Sequence, residues 1–579
     1  MPRRTNTEDK LNILQDRNDG KRRSLIISDE FDDSTSSASI SDSDTLHLDD
    51  KHAAIVLEST SQSQITRAFH DLNRAASYRL RKRKPKKDVA VDEAPDNNHK
   101  SAKDKFVSRF GDIKFYAVSS TIFDTVQFKE SDVYGVYVLF WLGIGFFIFS
   151  SLVHYYLENK QSKVIWEWPI VQILRKDIVK VAFTDLAMYL STYFVYLLQK
   201  VIKLGWFTWH STGWIVQSVY CGAFFVFWLY FASTNWMDFP WIAKVFLVLH
   251  SLVFVMKMHS YGFYNGYLWK INLELLYSTS YHTRLSNGKA KLPEGFDEEK
   301  TLHLLKESIA FCKFELDSQA YTTTISEEGV EYKPKKVVEF PQNITLFNFF
   351  EFSMFPTVVY TLNFPRTPRI RWFYVFEKVC GIFGILFLMI TVAQKWMYPL
   401  VHECYAARNL QGSEKFLKYV LISLDIIPAF LLEYLLTFFM IWDVILNSIA
   451  ELTRFSDRDF YGPWWSCTDW SEFSRIWNVP VYKFLLRHVY HSSISALHLH
   501  RGLAAVVTFM ISSIVHELVM YVIFGNFRGY LLFLQMSQVP MIMLARTKLL
   551  RNRKILGNVI CWFGFITAPS VICTSYLMY

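Results

Sequence analysis

The sequence contains no Cys-x-x-Cys pair; its seven cysteines stand at 221, 312, 380, 404, 467, 561 and 573, mostly in or beside apolar runs. This pattern argues against a zinc ribbon or a disulfide framework and reads as buried small hydrophobes. Charge is also scarce. Charged residues make up 20% of the chain, against ~25% in average soluble proteins, and many fall in the first 110 positions. The N-terminus lacks an apolar signal-type stretch, which predicts a cytosolic start and insertion by a later helix. No internal repeat is evident, and Pro428 interrupts one apolar run without a matching half elsewhere. An inverted-repeat transporter needs such a counterpart. "HELVM" is not a zinc-protease box, because Met520 stands where the second histidine belongs. His488, His491, His498 and His500 form one histidine-rich stretch without a second, so no metal site is expected.

Hydrophobic residues, by contrast, make up 51% of the chain and aromatics 17%, with 50 Phe and 31 Tyr. Nine runs near 133–157, 178–200, 213–233, 242–262, 372–396, 417–445, 502–524, 530–546 and 556–577 have the length and apolarity of membrane spans. The predicted fold is an all-α polytopic membrane protein of about nine transmembrane helices. Residues 1–110 read as a disordered polar cytosolic tail and 111–579 as the membrane domain. "EFDDSTSSASISDSD" (30–44) is too polar to form a core. "RLRKRKPKK" (79–87) suits either a clamp on anionic lipid or a solvated tail on the cytosolic side. The net charge of +9 fits a neighbour of anionic membrane or substrate.

Loop charge sets the orientation. Residues 233–240 carry no Lys or Arg, whereas "ARTKLLRNRK" (545–554) is strongly basic. Nine spans from a cytosolic N-terminus place 271–345 and 448–500 on the cytosolic side and the C-terminus in the lumen. Residues 297–316 read as a charged helix. The sequon at Asn343 faces away from the glycosylation machinery. Residues 344–362, with Glu351 and Pro356, read as interfacial or re-entrant, and 481–500 as an interfacial amphipathic helix.

Ionisable groups inside spans are expensive and mark function. Here they are Asp185, His250, Lys257, His259, Glu433, Asp443, His516 and Glu517. His516 lies mid-run, where burial favours the neutral, base-competent ring; a packing role between helices is the other reading. The stretch "FYGPWWSCTDW" (460–470), too aromatic for an ordinary loop, suits a membrane interface. Asn478 follows it with a neutral donor and acceptor. A polar vestibule leading to a buried histidine fits a soluble activated donor meeting a membrane-dissolved acceptor.

The run from Ala450 to Ser493, followed by the apolar segment around His516, resembles the membrane-bound O-acyltransferases, and within them the fungal sterol O-acyltransferases. "FPRTPRIRW" (364–372), "EKVCGIFGILFLM" (377–389) and "MKMHSYGFYNGYLW" (256–269) share the likeness, which covers about 120–579. The resemblance implies a nine-helix protein of the endoplasmic reticulum, assembled as dimers or tetramers. Its expected reaction transfers a fatty acyl group from acyl-CoA to a sterol 3β-hydroxyl, yielding steryl esters. It makes His516 the catalytic base and Asn478 its active-site partner. Phe460, Tyr461, Trp464, Trp465, Trp477, Tyr482 and His259 are expected to face substrate. Lys483 and Arg487 are expected to meet either CoA phosphates or lipid headgroups. Metal, redox cofactor and nucleic acid have no place in that chemistry. Diacylglycerol O-acyltransferases share the fold, donor and histidine, but the Lys-x-His-Ser pattern at 257–260 is closer to the sterol branch.

Three positions depart from the family pattern Phe-Tyr-x-Asp-Trp-Trp-Asn and its downstream histidine. Pro463 replaces the acid, Ser466 the asparagine, and Tyr482 the histidine. Proline removes a carboxylate and an N–H, serine loses the amide's reach, and tyrosine is a poor base near pH 7. A weakened paralogue that binds lipid and modulates an active partner is therefore the alternative.

Overall fold

The computed structural model describes residues 106–579 apart from 107, 109, 111–112, 114, 119, 158–166, 234–236, 290–296, 321–323, 327–330, 333–337 and 548–549. Residues 1–105 of the expected tail, with its basic run, lie outside the described residues, whereas Phe110 at the tail's expected end is packed in place, stacking on Tyr264 at 5.0 Å. Contacts divide the described residues into two compact units, a larger one of Phe110–Leu273 with Glu315–Tyr579 and a smaller one containing Glu274–Phe314.

Among the described residues, eight helices are long and apolar enough to cross a membrane: α1 (Tyr134–Val153), α2 (Ile178–Lys203), α3 (Trp209–Ser233), α4 (Trp241–Ser286), α5 (Trp372–Ala407), α6 (Ile427–Leu452), α7 (Arg501–Phe524) and α8 (Lys554–Met578). The eighth expected span, 530–546, is instead a shorter pair, Tyr530–Met536 and Gln538–Ala545. A helix needs about 20 residues to cross the hydrocarbon core, and this pair falls short. The sixth expected span also starts later. Residues 412–425 form their own helix, and the chain restarts at Ile427 with Pro428 in the first turn of α6. Proline has no N–H to give to a continuing helix, so it breaks the run there.

The fourth expected span continues well past 262, because nothing in α4 stops a helix before Ser286. In the unit containing 274–314, its end packs Tyr281 and Leu285 against Leu305 of the Glu298–Ala320 helix. The charged helix expected at 297–316 is that element.

In the larger unit, strands β1 (Tyr116–Ala117), β2 (Thr324–Ser326) and β3 (Glu331–Tyr332) form a small sheet, parallel between β1 and β2 and antiparallel between β2 and β3. Its main core joins Met258, Tyr261, Tyr264 and Leu268 of α4 to Phe349 and Phe352 of the Leu346–Met354 helix. After that helix, residues 355–362 are irregular yet wholly buried. Such backbone in a membrane protein must find partners inside the protein. Lys257 supplies them: its Nζ donates to the carbonyls of Phe352 (2.9 Å), Ser353 (2.9 Å) and Phe355 (2.6 Å). A cation at a helix C-terminus also meets the negative end of the helix dipole. Of the segment expected to be interfacial or re-entrant, 355–362 is therefore part of the protein interior, whereas the Leu346–Met354 helix exposes Leu346, Phe347 and Phe350.

Lys257→Met keeps the aliphatic length and removes all three donors. We expect a loss of about 2–4 kcal/mol, read as a melting temperature several degrees lower in detergent. An unchanged melting temperature would show that the clamp is dispensable.

Candidate active site

The aromatic stretch is held from both sides. Gly462 N donates to Ile476 O (2.8 Å), and Val479 N donates to Phe460 O (3.0 Å). A Cβ at Gly462 would lie 3.0 Å from the Ile476 Cβ, so the close approach favours glycine. Asn558 of α8 donates to the carbonyls of Trp465 (3.0 Å) and Cys467 (2.9 Å), and the Trp562 indole also reaches Trp465 O (3.0 Å).

Its side chains differ from the expected substrate wall. Phe460, Tyr461 and Trp464 are core residues, each at most 3% exposed. Trp464 sits edge-on among Tyr434, Phe438, Trp477 and Phe565, with centroids 5.1–5.7 Å away. Each such pair contributes on the order of 1 kcal/mol. Tyr461 donates to Asp443 Oδ1 (2.9 Å), and burial raises its phenol well above the usual value. Asp443 also accepts from Thr121 (2.6 Å) and Lys378 (3.0 Å), and Lys378 reaches Asp124 (2.8 Å). Trp465 remains half-buried, whereas Pro463 and Ser466 are exposed. Two of the three departures from the family pattern thus lie on the outer side of a loop whose buried side is intact.

Asn478 is the N-cap of the Val479–Phe484 helix, and its Oδ1 accepts from Val481 N (3.2 Å). The cap assigns the amide: with the oxygen turned into the helix, the NH2 is the group left to donate outward. The neighbouring Trp477 stacks on Tyr434 at 5.3 Å and 5°. Beyond the cap the helix widens into a π-turn at Leu485–Tyr490 and continues as His491–Ala496. This run packs against α7. It ends at 496, and with Phe484, Arg487 and Ser493 buried it is less interfacial than the sequence suggests.

Along that run, burial raises the Tyr482 phenol above its ordinary value. Lys483 pairs with Asp457 at 2.9 Å. Arg487, expected at a phosphate, is 4% exposed and donates to the carbonyls of Tyr360 (3.3 Å) and Phe110 (3.1 Å). The π-turn places it toward the buried irregular segment. His488 Nε2 lies 2.9 Å from Ser260 Oγ, which also accepts from Tyr360 N (2.8 Å). His259 stacks on Phe263 and meets the His488 ring edge-on at 5.2 Å. Lys257, His259 and Ser260 together join α4 to the buried segment and to the π-turn.

On α7, His516 and Glu517 diverge. The His516 ring is exposed, and its Nδ1 lies 2.7 Å from Ser512 O. A carbonyl can only accept, so Nδ1 carries the hydrogen and the neutral ring keeps its lone pair on Nε2. That is the tautomer of a competent general base. Glu517 is completely buried and accepts from Gly529 N (2.7 Å), Leu531 N (3.1 Å), Leu532 N (3.1 Å) and the Tyr576 hydroxyl. It caps the next helix, where a carboxylate balances the positive helix end.

Residues 151–578 match the model of the membrane-bound O-acyltransferase family. The chain belongs to that family. Among members of the membrane-bound O-acyltransferases it is 50% identical to Sterol O-acyltransferase 2 of Candida albicans, over 100% of both chains. It is 46% identical to Sterol O-acyltransferase 2 of Saccharomyces cerevisiae, over 78% of this chain and 67% of that protein. Diacylglycerol O-acyltransferase 1 of Dictyostelium discoideum is 31% identical over 42% of this chain and 38% of that protein.

Sequence reasoning missed Lys378, Asp124 and the cluster in which Arg371 and Arg458 both bind Glu451. Lys378, inside an otherwise apolar run, was the available signal.

Burial holds His488 well below the usual histidine pKa. The sign follows from linkage. Below about pH 6.5 an unfolded His488 takes up a proton that the folded one refuses, so stability falls with pH by about 1.4 kcal/mol per unit. His488→Gln is therefore expected to destabilise at pH 7.5 and to do so less at pH 5.5. A stability gap that stays constant between the two would contradict this protonation state.

Proposed function

We propose that this membrane-bound O-acyltransferase transfers a long-chain fatty acyl group from acyl-CoA to the 3β-hydroxyl of a sterol, ergosterol or a precursor, producing steryl esters for storage. The observation that carries the reading is the end-to-end identity with a sterol O-acyltransferase. The likeness to a diacylglycerol enzyme is weaker and confined to part of the chain.

In this reaction His516 Nε2 takes the sterol proton as the hydroxyl oxygen attacks the thioester carbon. The developing oxyanion accepts from the Asn478 amide. The C–S bond then breaks, and the proton on His516 passes to the departing CoA thiolate. The reaction balances with acyl-CoA as co-substrate and without a metal or redox cofactor. Trp465, Trp477, Tyr482 and His259, all partly exposed, are the aromatic groups available to shape the substrate path. Lys483 is committed to Asp457, and reaches a phosphate only by sharing that carboxylate. The site belongs in the endoplasmic reticulum membrane with a cytosolic N-terminus and a dimeric or tetrameric assembly; the lumenal C-terminus expected from nine spans requires the short Tyr530–Ala545 pair to complete the crossing between α7 and α8.

The motif departures favour one further arm, a weakened paralogue. Membranes from cells lacking steryl esters, supplied with labelled oleoyl-CoA, are expected to form steryl ester. His516→Ala should lower the rate by at least about 100-fold, the scale of a lost general base. Ester formation no higher than in that variant would overturn the enzyme reading, and triacylglycerol as the main product would overturn the sterol assignment. Because Pro463 and Ser466 are exposed, Pro463→Asp with Ser466→Asn is expected to leave the melting temperature unchanged. A severalfold rise in ester formation would identify the natural pair as limiting; an unchanged rate would show that it is not.

A further inference from the structure

The short connection before α8 carries Arg546, Arg551 and Arg553, and α8 itself begins with Lys554. These four cations rim a cavity of about 450 Å³. All four are exposed, and none takes part in an ion pair among the described residues. The one carboxylate lining the cavity, Asp469, is engaged as the N-cap of the Trp470–Ile476 helix, accepting from Glu472 N (2.8 Å). Four like charges around one concavity repel each other unless an anion sits among them.

The remaining lining names the kind of anion. Leu544, Leu550 and Ile560 form an apolar side. Outside the cavity, α8 presents Ile555, Val559 and Phe563, each more than half exposed. Cations at the end of a span, above an exposed apolar helix face, suit a phosphate whose hydrocarbon lies along the helix. Neither Asn478 nor His516 lines this cavity, which separates it from the acyl-transfer groups. We propose that it holds the phosphate headgroup of an anionic bilayer phospholipid.

The cavity floor gives such a lipid structural consequences. Thr468 and Trp470 form part of it and continue the aromatic loop. Gly557 is packed so closely that a Cβ there would lie 2.4 Å from Thr468 O, and the Trp470 ring meets Phe565 of α8 edge-on at 5.1 Å. A bound headgroup thus bridges the start of α8 and the loop that precedes Asn478.

The test uses the full chain in nanodiscs of phosphatidylcholine with phosphatidylserine. Native mass spectrometry reads the lipid retained on release, independently of acyl transfer. Phosphatidylserine should be retained over phosphatidylcholine. Arg546→Gln/Arg551→Gln/Arg553→Gln should lose that preference by about fivefold for each charge removed. Lysine at the same three positions should keep most of it. Equal retention by the wild type and the glutamine variant would overturn the proposal. Release of the phosphatidylserine by free CoA would also overturn it, making the cavity a CoA-phosphate subsite instead.

Discussion

A backbone carbonyl within a membrane protein has no water to turn to, and this architecture depends on how that demand is met. Residues 355–362 run without helix or strand through the interior. Lys257 takes the Phe355 carbonyl at their start and two more, of Phe352 and Ser353, from the helix before; Arg487 takes one near their middle, and Ser260 accepts the amide of Tyr360. Each charged group would be costly alone in this setting. Each becomes affordable because backbone dipoles surround it. The same exchange explains Glu517, whose carboxylate replaces the missing intrahelical partners of the helix starting at Tyr530.

This pairing also organises the aromatic loop. Its rings resemble an interfacial belt in sequence, yet Phe460, Tyr461 and Trp464 point inward and hold the loop against α6 and α8. Tyr461 connects it to Asp443 and through that carboxylate to Lys378 on α5. The loop's backbone then sets Val479, and with it the turn at which Asn478 caps the next helix. A donor that is to meet an oxyanion must be held in place before the charge develops. Substitutions at exposed Pro463 and Ser466 leave that chain of contacts in place.

Much of the fold was legible in the sequence because spans are set by apolar length. Seven of the expected segments coincide with long helices throughout, and Pro428 explains why the 417–445 run begins its span only at Ile427. The failures have one physical origin. Thr121 and Asp443 are 322 residues apart, and no local pattern shows that Lys378 will meet two carboxylates or that Arg487 will turn inward. A basic residue reads alike in sequence whether its partner is a phosphate or a backbone carbonyl. The direction of Arg487 is set by a π-turn, which widens the helix without a distinctive composition. His516 stands out in the sequence for the opposite reason: an ionisable ring inside an apolar run needs no distant partner to be noticed.

His516 and Glu517 show how the two kinds of residue cooperate. Adjacent residues on a helix face different directions, so fixing one fixes the other. Glu517 is locked by three backbone amides and a tyrosine, which sets the rotation of α7 about its axis. Ser512, one turn earlier, then holds the His516 ring through Nδ1 and leaves Nε2 unencumbered. The buried carboxylate is fully taken up by these four donors. Its contribution is to keep a base-competent histidine turned toward open space on a helix that would otherwise be free to roll between its neighbours.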